Sequence, residues 1–264
     1  MIYLSINNYI KMNFGTCKLC HNETRLSIEH VPPRSCGNKV RYNNASILDF
    51  MTSEDPLSYP FKGKVFQGGI GYNSYCNNCN TFLGNEYVRY YKEWFNVGLD
   101  LIQDSNNKGF DFTALRQNPL RLLKQVLGMF VAINPISSLV NNPELINFLN
   151  NPESKKCPKE IRVFCYLNNG PRLRYLELNQ KGNFKSGKIV LGSEITFPPF
   201  GYVLVLNNDD FSNDLLTEIT GFSHFGANND YHLSLKMNKL DTCLPIILDY
   251  RSRDEIEKKI AKIN

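Results

Sequence analysis

The sequence lacks several features that would place it in a specialised class of protein. No apolar run reaches the roughly 20 residues that a membrane-spanning helix needs. The first residues, Met1 to Asn13, have neither the basic segment nor the continuous apolar segment of a secretory signal. We therefore expect a cytoplasmic protein without a membrane anchor. The sequence also has no internal repeat and no low-complexity tract, which argues against a repeat architecture.

The composition is that of a globular protein with a mild basic excess. The chain has 264 residues, of which 42% are hydrophobic and 12% aromatic, enough for one large domain or two modest ones. The net charge of +5 is compatible with nucleic acid binding but does not establish it. Between Lys155 and Lys188 there are nine basic residues against two acidic ones. This excess predicts either a solvated sheet face or a phosphate-contacting surface.

The cysteines have the spacing of a metal site. Four of the eight form two C-x-x-C pairs, Cys17 with Cys20 and Cys76 with Cys79. In a reducing cytosol such pairs favour structural zinc, because two C-x-x-C turns supply the four thiolates of a tetrahedral site. A thioredoxin-like role is disfavoured, because no βαβ pattern surrounds either pair. The other four cysteines lack paired spacing and are expected to be buried thiols: Cys36, Cys157, Cys165 and Cys243.

The periodicity of apolar residues predicts an α+β fold. Helices are predicted at Asn85–Gln103, Thr113–Ile133, Pro143–Asn150 and Asp254–Lys262. Short strands are predicted at Ile161–Leu167, Leu173–Leu178, Ile189–Phe197, Tyr202–Leu206, Tyr231–Met237 and Leu244–Tyr250. The predicted parts are a zinc-stapled module at 14–104, a helical segment at 105–152 and a β-rich, mostly antiparallel region at 153–264 that ends in a helix.

Two further elements accompany the cysteine pairs. Glu29 and His30 follow the first pair and precede two prolines. Neighbouring residues of a strand point to opposite faces, so Glu29 and His30 can share a site only at a strand end or a bulge. Asn80 directly follows the last cysteine, near the expected start of a helix. There it would either bind a ligand or cap the helix.

These elements, taken in order, resemble the HNH endonucleases. The match consists of a C-x-x-C pair, then Glu29-His30-Val31-Pro32-Pro33, then a second C-x-x-C pair followed by Asn80 and Gly84. The resemblance covers about a third of the chain and implies a ββα-metal fold, in which a β-hairpin and a helix hold one catalytic cation. It further implies that His30 is the general base and that Glu29 and Asn80 are ligands of the cation. Asn73 is the candidate for the middle asparagine of the family's name.

The resemblance also implies cofactors and a substrate. Zinc would be structural, whereas oxygen ligands favour Mg²⁺ or Mn²⁺ for catalysis. Double-stranded DNA is the expected substrate. Four basic residues would either contact its phosphates or be ordinary solvated charges: Arg34, Arg41, Arg89 and Lys92. A homodimer and a role in restriction or anti-phage defence are further expectations. Two alternatives remain open: a non-catalytic zinc-binding module that contacts nucleic acid or protein, and an RNA-cleaving toxin.

Overall fold

The computed structural model describes residues 13–44, 50, 52–55, 57, 64–103, 109–168, 170, 172–183, 188–207 and 211–262. The chain forms an α+β structure in which an N-terminal small sheet and a larger C-terminal sheet flank a buried helix. Within the described residues, no helix combines the length and apolar character needed to cross a membrane.

The N-terminal part consists of a three-stranded antiparallel sheet and a long helical segment. The sheet has the order β1-β2-β5, with β1 at Phe14–Thr16, β2 at Glu23–His30 and β5 at Gly71–Cys76. A separate hairpin pairs β3 (Tyr42–Asn44) with β4 (Lys64–Phe66). The helical segment follows β5 directly, as α1 (Asn77–Leu83), a π-helical stretch (Gly84–Val88) and α2 (Arg89–Gln103).

This first helix begins eight residues before the predicted Asn85. Its N-cap is Cys76, whose sulfur accepts a hydrogen bond from the backbone N–H of Cys79 at 3.5 Å. A thiol in this role is not one of the usual capping side chains, which are those of Ser, Thr, Asp and Asn. The apolar periodicity of the following residues therefore identified only the later part of the helix.

A buried helix occupies the centre of the molecule. Helix α3 spans Pro119–Ile133, and every residue in it except Arg121 is buried. The prediction that this helix starts at Thr113 was wrong, because Gly109–Gln117 forms strand β6. Asn118 accepts a hydrogen bond from the N–H of Arg121 at 3.0 Å, and Pro119 occupies the first turn. A capping Asn followed by Pro fixes the helix start at this point.

The C-terminal sheet confirms the prediction of a mostly antiparallel β region. Besides β6, its strands are β7 (Ile161–Asn168), β8 (Arg174–Asn183), β9 (Lys188–Phe197), β10 (Phe200–Leu206), β11 (Thr217–Glu218) and β12 (Tyr231–Leu240). The strand order is β6-β12-β7-β10-β9-β8, with β11 paired to β7, and among the described residues only the short β12–β7 contact is parallel. Helices α4 (Pro143–Asn150) and α5 (Arg253–Ile260) lie close to their predicted bounds.

The strand predicted at Leu244–Tyr250 does not form. The segment instead crosses the sheet surface, and its backbone bonds to side chains rather than to another strand. The N–H of Leu248 donates to Glu194 at 3.1 Å, and Lys181 donates to the carbonyls of Ile247 and Leu248 at 2.8 and 2.9 Å. Leu248 also has a φ of 58°, which is incompatible with an extended strand.

One hydrophobic core joins the three predicted parts. It contains Cys17 from the N-terminal sheet, Phe130 from α3 and Val163 from β7. The indole N–H of Trp94 donates to the Tyr202 hydroxyl at 3.1 Å, which links α2 to the C-terminal sheet. The predicted boundaries at 104 and 152 therefore mark changes of secondary structure within a shared core.

Candidate metal centre and adjoining site

The four cysteines predicted to bind metal come together. The Sγ atoms of Cys17, Cys20, Cys76 and Cys79 all lie within 4.8 Å of one another, and those of Cys20 and Cys76 are 3.9 Å apart. Bonds of about 2.3 Å in a tetrahedral thiolate site place sulfurs roughly 3.8 Å apart. All four thiols are free, so the cluster has the chemistry and the spacing to hold a metal ion.

Local backbone bonds shape the first C-x-x-C turn. The N–H of His21 donates to the carbonyl of Cys17 at 2.8 Å, and the Cys17 N–H donates to Asn22 at 3.0 Å. His21 has a φ of 58°, which reverses the chain after the second cysteine. The Cys76 N–H donates to the Cys17 sulfur at 3.3 Å, so each C-x-x-C pair also orients the other.

The cysteine cluster is tied to the end of the central helix. The Lys18 ammonium donates to the carbonyls of Ala132 and Asn134 at 2.8 and 2.6 Å. The Ser74 hydroxyl also donates to Ala132, at 2.7 Å, and the Tyr75 hydroxyl donates to Gly128 at 2.6 Å. Lys18 and Ser74 thus satisfy carbonyls at the C-terminus of α3 that the helix cannot pair by itself, and Tyr75 adds a hydrogen bond to a carbonyl within the helix. The position of the cluster is therefore fixed by the core.

Glu29 is a buried carboxylate without a counterion among the described residues. It is 8% exposed and pairs with Tyr72 across the sheet. Within the described part of the chain, no hydrogen bond or ion pair reaches its carboxylate. Burial alone raises its pKa to about 8. An uncompensated buried carboxylate must either keep its proton or bind a cation.

Asn80 lies against the same strand. Its amide nitrogen donates to the Ser27 hydroxyl at 2.9 Å and to the Ile28 carbonyl at 3.2 Å. Ser27 and Glu29 are two residues apart on β2, so their side chains share one sheet face. Helix α1 therefore brings Asn80 to the side of β2 that carries Glu29. Both hydrogen bonds use the amide nitrogen of Asn80, so the Oδ1 atom of Asn80 is the one that can act as a metal ligand.

His30 leaves β2 on the opposite side from Glu29. The irregularity in the ladder lies between Ser27 and Ile28, before this pair, and His30 pairs regularly with Gly71. Burial and the charge of Arg34 lower the pKa of His30, and a hydrogen bond with the Gly68 backbone opposes them. The lowered pKa favours the neutral imidazole near pH 7.

Asn73 lies on the same sheet face as His30. It pairs with Ile28, which is two residues from His30 on β2. The Asn73 side chain is exposed and accepts a hydrogen bond from the Asn13 amide at 3.0 Å. The sheet therefore places Asn73 and His30 together on its outer surface, while Glu29 and Asn80 lie on the inner side.

The four predicted phosphate contacts differ in their surroundings. Arg34 is exposed and close enough to His30 to affect its pKa. Lys92 is exposed and acts electrostatically on Cys36, beside the turn that carries Arg34. Arg41 is exposed just before β3. Arg89 is also exposed but pairs with Glu93 at 3.2 Å.

Asn38 is a buried polar residue that the spacing of motifs did not single out. It is fully buried, and its amide donates to the carbonyls of Pro32 and Ile70 at 2.7 and 2.8 Å. Its Oδ1 accepts the Ile70 N–H at 2.7 Å. Asn38 therefore holds together the two chain segments that continue β2 and precede β5. The Gly37-Asn38 turn signal after the prolines was the only sequence feature that pointed to it.

The basic excess between Lys155 and Lys188 is partly internal. Arg162 pairs with Glu218 at 2.6 Å, and Lys181 bonds to the segment crossing the sheet. Arg174 is buried and pairs with buried Glu194 at 3.0 Å. Within the described residues, at least three of these nine cations thus have partners within the molecule, which weakens the hypothesis of a phosphate-contacting surface.

Comparison of the chain with protein-family models, with curated proteins and with solved structures found no match.

Proposed function

We propose that the protein is a metal-dependent nuclease of the HNH type that hydrolyses phosphodiester bonds in DNA. The observation that carries this proposal is the buried carboxylate of Glu29, which has no partner among the described residues and shares a face of β2 with Ser27, the residue that Asn80 contacts. A carboxylate and an amide oxygen on one side of β2 suit Mg²⁺ or Mn²⁺. The two C-x-x-C pairs suit zinc, which would hold β5 and α1 in place.

The proposed chemistry divides between the two faces of β2. A divalent cation on Glu29 and Asn80 would stabilise negative charge on the scissile phosphate. His30, whose lowered pKa favours the neutral imidazole, would accept a proton from water at a ring nitrogen. Because His30 is the last residue of β2, its ring is at the strand end, where a substrate can contact both sides. Arg34 and Lys92 bind neighbouring phosphates.

A specific observation favours a second function, that of a non-catalytic zinc module that binds nucleic acid. Glu29 and His30 leave β2 on opposite sides, whereas a shared catalytic centre needs both within reach of one phosphate. The sequence from His30 to Leu48 and from Lys64 to Asn85 contains no acidic residue. The basic residues of these two segments would serve binding as well as cleavage.

Cleavage of supercoiled plasmid and of an RNA transcript by zinc-loaded protein tests the proposal. We expect metal-dependent nicking or linearisation of DNA that EDTA stops and that His30→Ala abolishes. His224→Ala, which changes an exposed histidine of the C-terminal region, is the matched control and should cut normally. Cleavage of RNA alone would replace DNA as the substrate. If folded, zinc-loaded protein binds DNA yet cuts neither substrate, the binding module is the correct account.

A further inference from the structure

The C-terminal sheet contacts the backbone that follows His30. Tyr175, near the start of β8, donates its hydroxyl proton to the carbonyl of Val31 at 2.9 Å. Val31 is the residue after His30, and its own N–H donates to Ile70 at 3.0 Å. Burial holds the pKa of Tyr175 well above its usual value, so the hydroxyl retains the proton that it donates.

The same tyrosine also lies against the strand that faces Glu29. The ring centroids of Tyr175 and Tyr72 are 6.4 Å apart, and Tyr72 is the cross-strand partner of Glu29. Tyr175 therefore contacts the main chain after His30 with its hydroxyl and the neighbour of Glu29 with its ring. Tyr175 and Val31, whose carbonyl accepts this bond, are 144 residues apart in the sequence.

Asn38 grips the same stretch of chain from the other direction. Its amide bonds to Pro32 and Ile70 place the backbone after His30 between two fixed side chains. Asn38 comes from the adjacent turn, whereas Tyr175 belongs to the large sheet. The main chain after His30 is therefore held both by the adjacent turn and by the C-terminal sheet.

We propose that Tyr175 is a positioning residue that couples the C-terminal sheet to the candidate site by fixing the main chain immediately after His30. The catalytic part of this inference rests on the proposed nuclease function, since it is through His30 that Tyr175 would affect cleavage. Displacement of β8, for example by a molecule bound to the sheet, would then alter cleavage without any contact with the substrate.

The test compares Tyr175→Phe with Tyr231→Phe. Each substitution removes one hydroxyl and keeps the ring; the Tyr231 hydroxyl accepts a backbone hydrogen bond from Gly226 at 3.1 Å, in the loop before β12. The first measurement is the NMR signals of the histidine rings. The chain has four histidines, and His30→Gln identifies the signals of His30. We expect Tyr175→Phe to shift those signals and Tyr231→Phe to leave them unchanged.

The second measurement is single-turnover DNA cleavage. We expect Tyr175→Phe to lower the maximum rate about tenfold while substrate affinity and zinc content stay as in the wild type, because misplacement of a reacting group costs rate rather than binding. Failure of the wild type to cut would overturn the nuclease proposal, but the NMR comparison would still decide whether Tyr175 positions His30. Unchanged His30 signals in Tyr175→Phe would overturn the positioning role.

Discussion

Stability of the zinc-loaded protein without Mg²⁺ or Mn²⁺ should fall as pH rises, because of Glu29. The pKa of this buried carboxyl is about 8 in the folded protein, against an ordinary value of 4.5. Between these values the folded state keeps a proton that the unfolded chain has released. Folding is therefore weakened by rising pH across this window, and the loss is complete above about pH 8.

The size of the effect follows from the two pKa values. A difference of 3.5 between 4.5 and 8 corresponds to at most about 5 kcal/mol of unfolding free energy. Relaxation and water penetration reduce such figures, so we expect about 2–4 kcal/mol. Glu29→Gln keeps the shape and removes the charge. Without Mg²⁺ or Mn²⁺, the zinc-loaded Glu29→Gln protein should therefore be more stable than the wild type at about pH 8.5 and similar to it near pH 5.

Urea unfolding of zinc-loaded, magnesium-free protein between about pH 5 and pH 8.5 measures this difference. Glu144→Gln, at an exposed position of α4, is the control and should keep the wild-type slope. Addition of Mn²⁺ at the upper pH should stabilise the wild type more than Glu29→Gln, because the substitution removes the charged ligand of the cation. Parallel pH profiles for wild type and Glu29→Gln would refute the reasoning, since they would show that Glu29 is not desolvated in the folded state.

Two further predictions concern the zinc cluster and the C-terminal sheet. Metal analysis should find one zinc per chain, which Cys17→Ser loses together with cooperative unfolding, whereas Cys36→Ser retains the metal because Cys36 is outside the cluster. A Cβ at Gly201 would lie 2.0 Å from the Tyr166 ring, so Gly201→Ala should lower the unfolding free energy by more than about 2 kcal/mol. Gly221→Ala, where a Cβ meets nothing within 4 Å, should have little effect, and equal stability of the two variants would contradict this packing argument.

The sequence was sufficient to predict the features that depend on local pattern. The spacing of the two C-x-x-C pairs predicted the four-cysteine cluster. Short runs of β-branched and aromatic residues predicted six strands in the C-terminal region, of which five form. The prediction of a strand at Leu244–Tyr250 was wrong because the backbone of this segment bonds to the side chains of Glu194 and Lys181 and not to another strand. Strand β6 was missed because Leu115 falls on the helical spacing of the apolar residues in α3. Asn118-Pro119 nevertheless signals the true start of that helix.

Non-local bonds account for the rest. The contact between Tyr175 and Val31 and the triple bonding of Asn38 depend on packing between distant segments, which no spacing in the sequence encodes. Likewise, the placement of Glu29 inside and His30 outside follows from the register of β2 with β5, in which the irregularity falls before the pair.

Single-turnover DNA cleavage as a function of Mn²⁺ concentration tests the central claim, that Glu29 and Asn80 hold the catalytic cation and His30 accepts the proton. Glu29→Gln should raise the Mn²⁺ concentration needed for half-maximal rate at least about tenfold, because it removes a charged ligand. His30→Ala should leave that concentration unchanged and lower the maximum rate at least about a hundredfold. A His30→Ala protein that reaches the wild-type rate, or a Glu29→Gln protein with the wild-type Mn²⁺ dependence, would contradict the account.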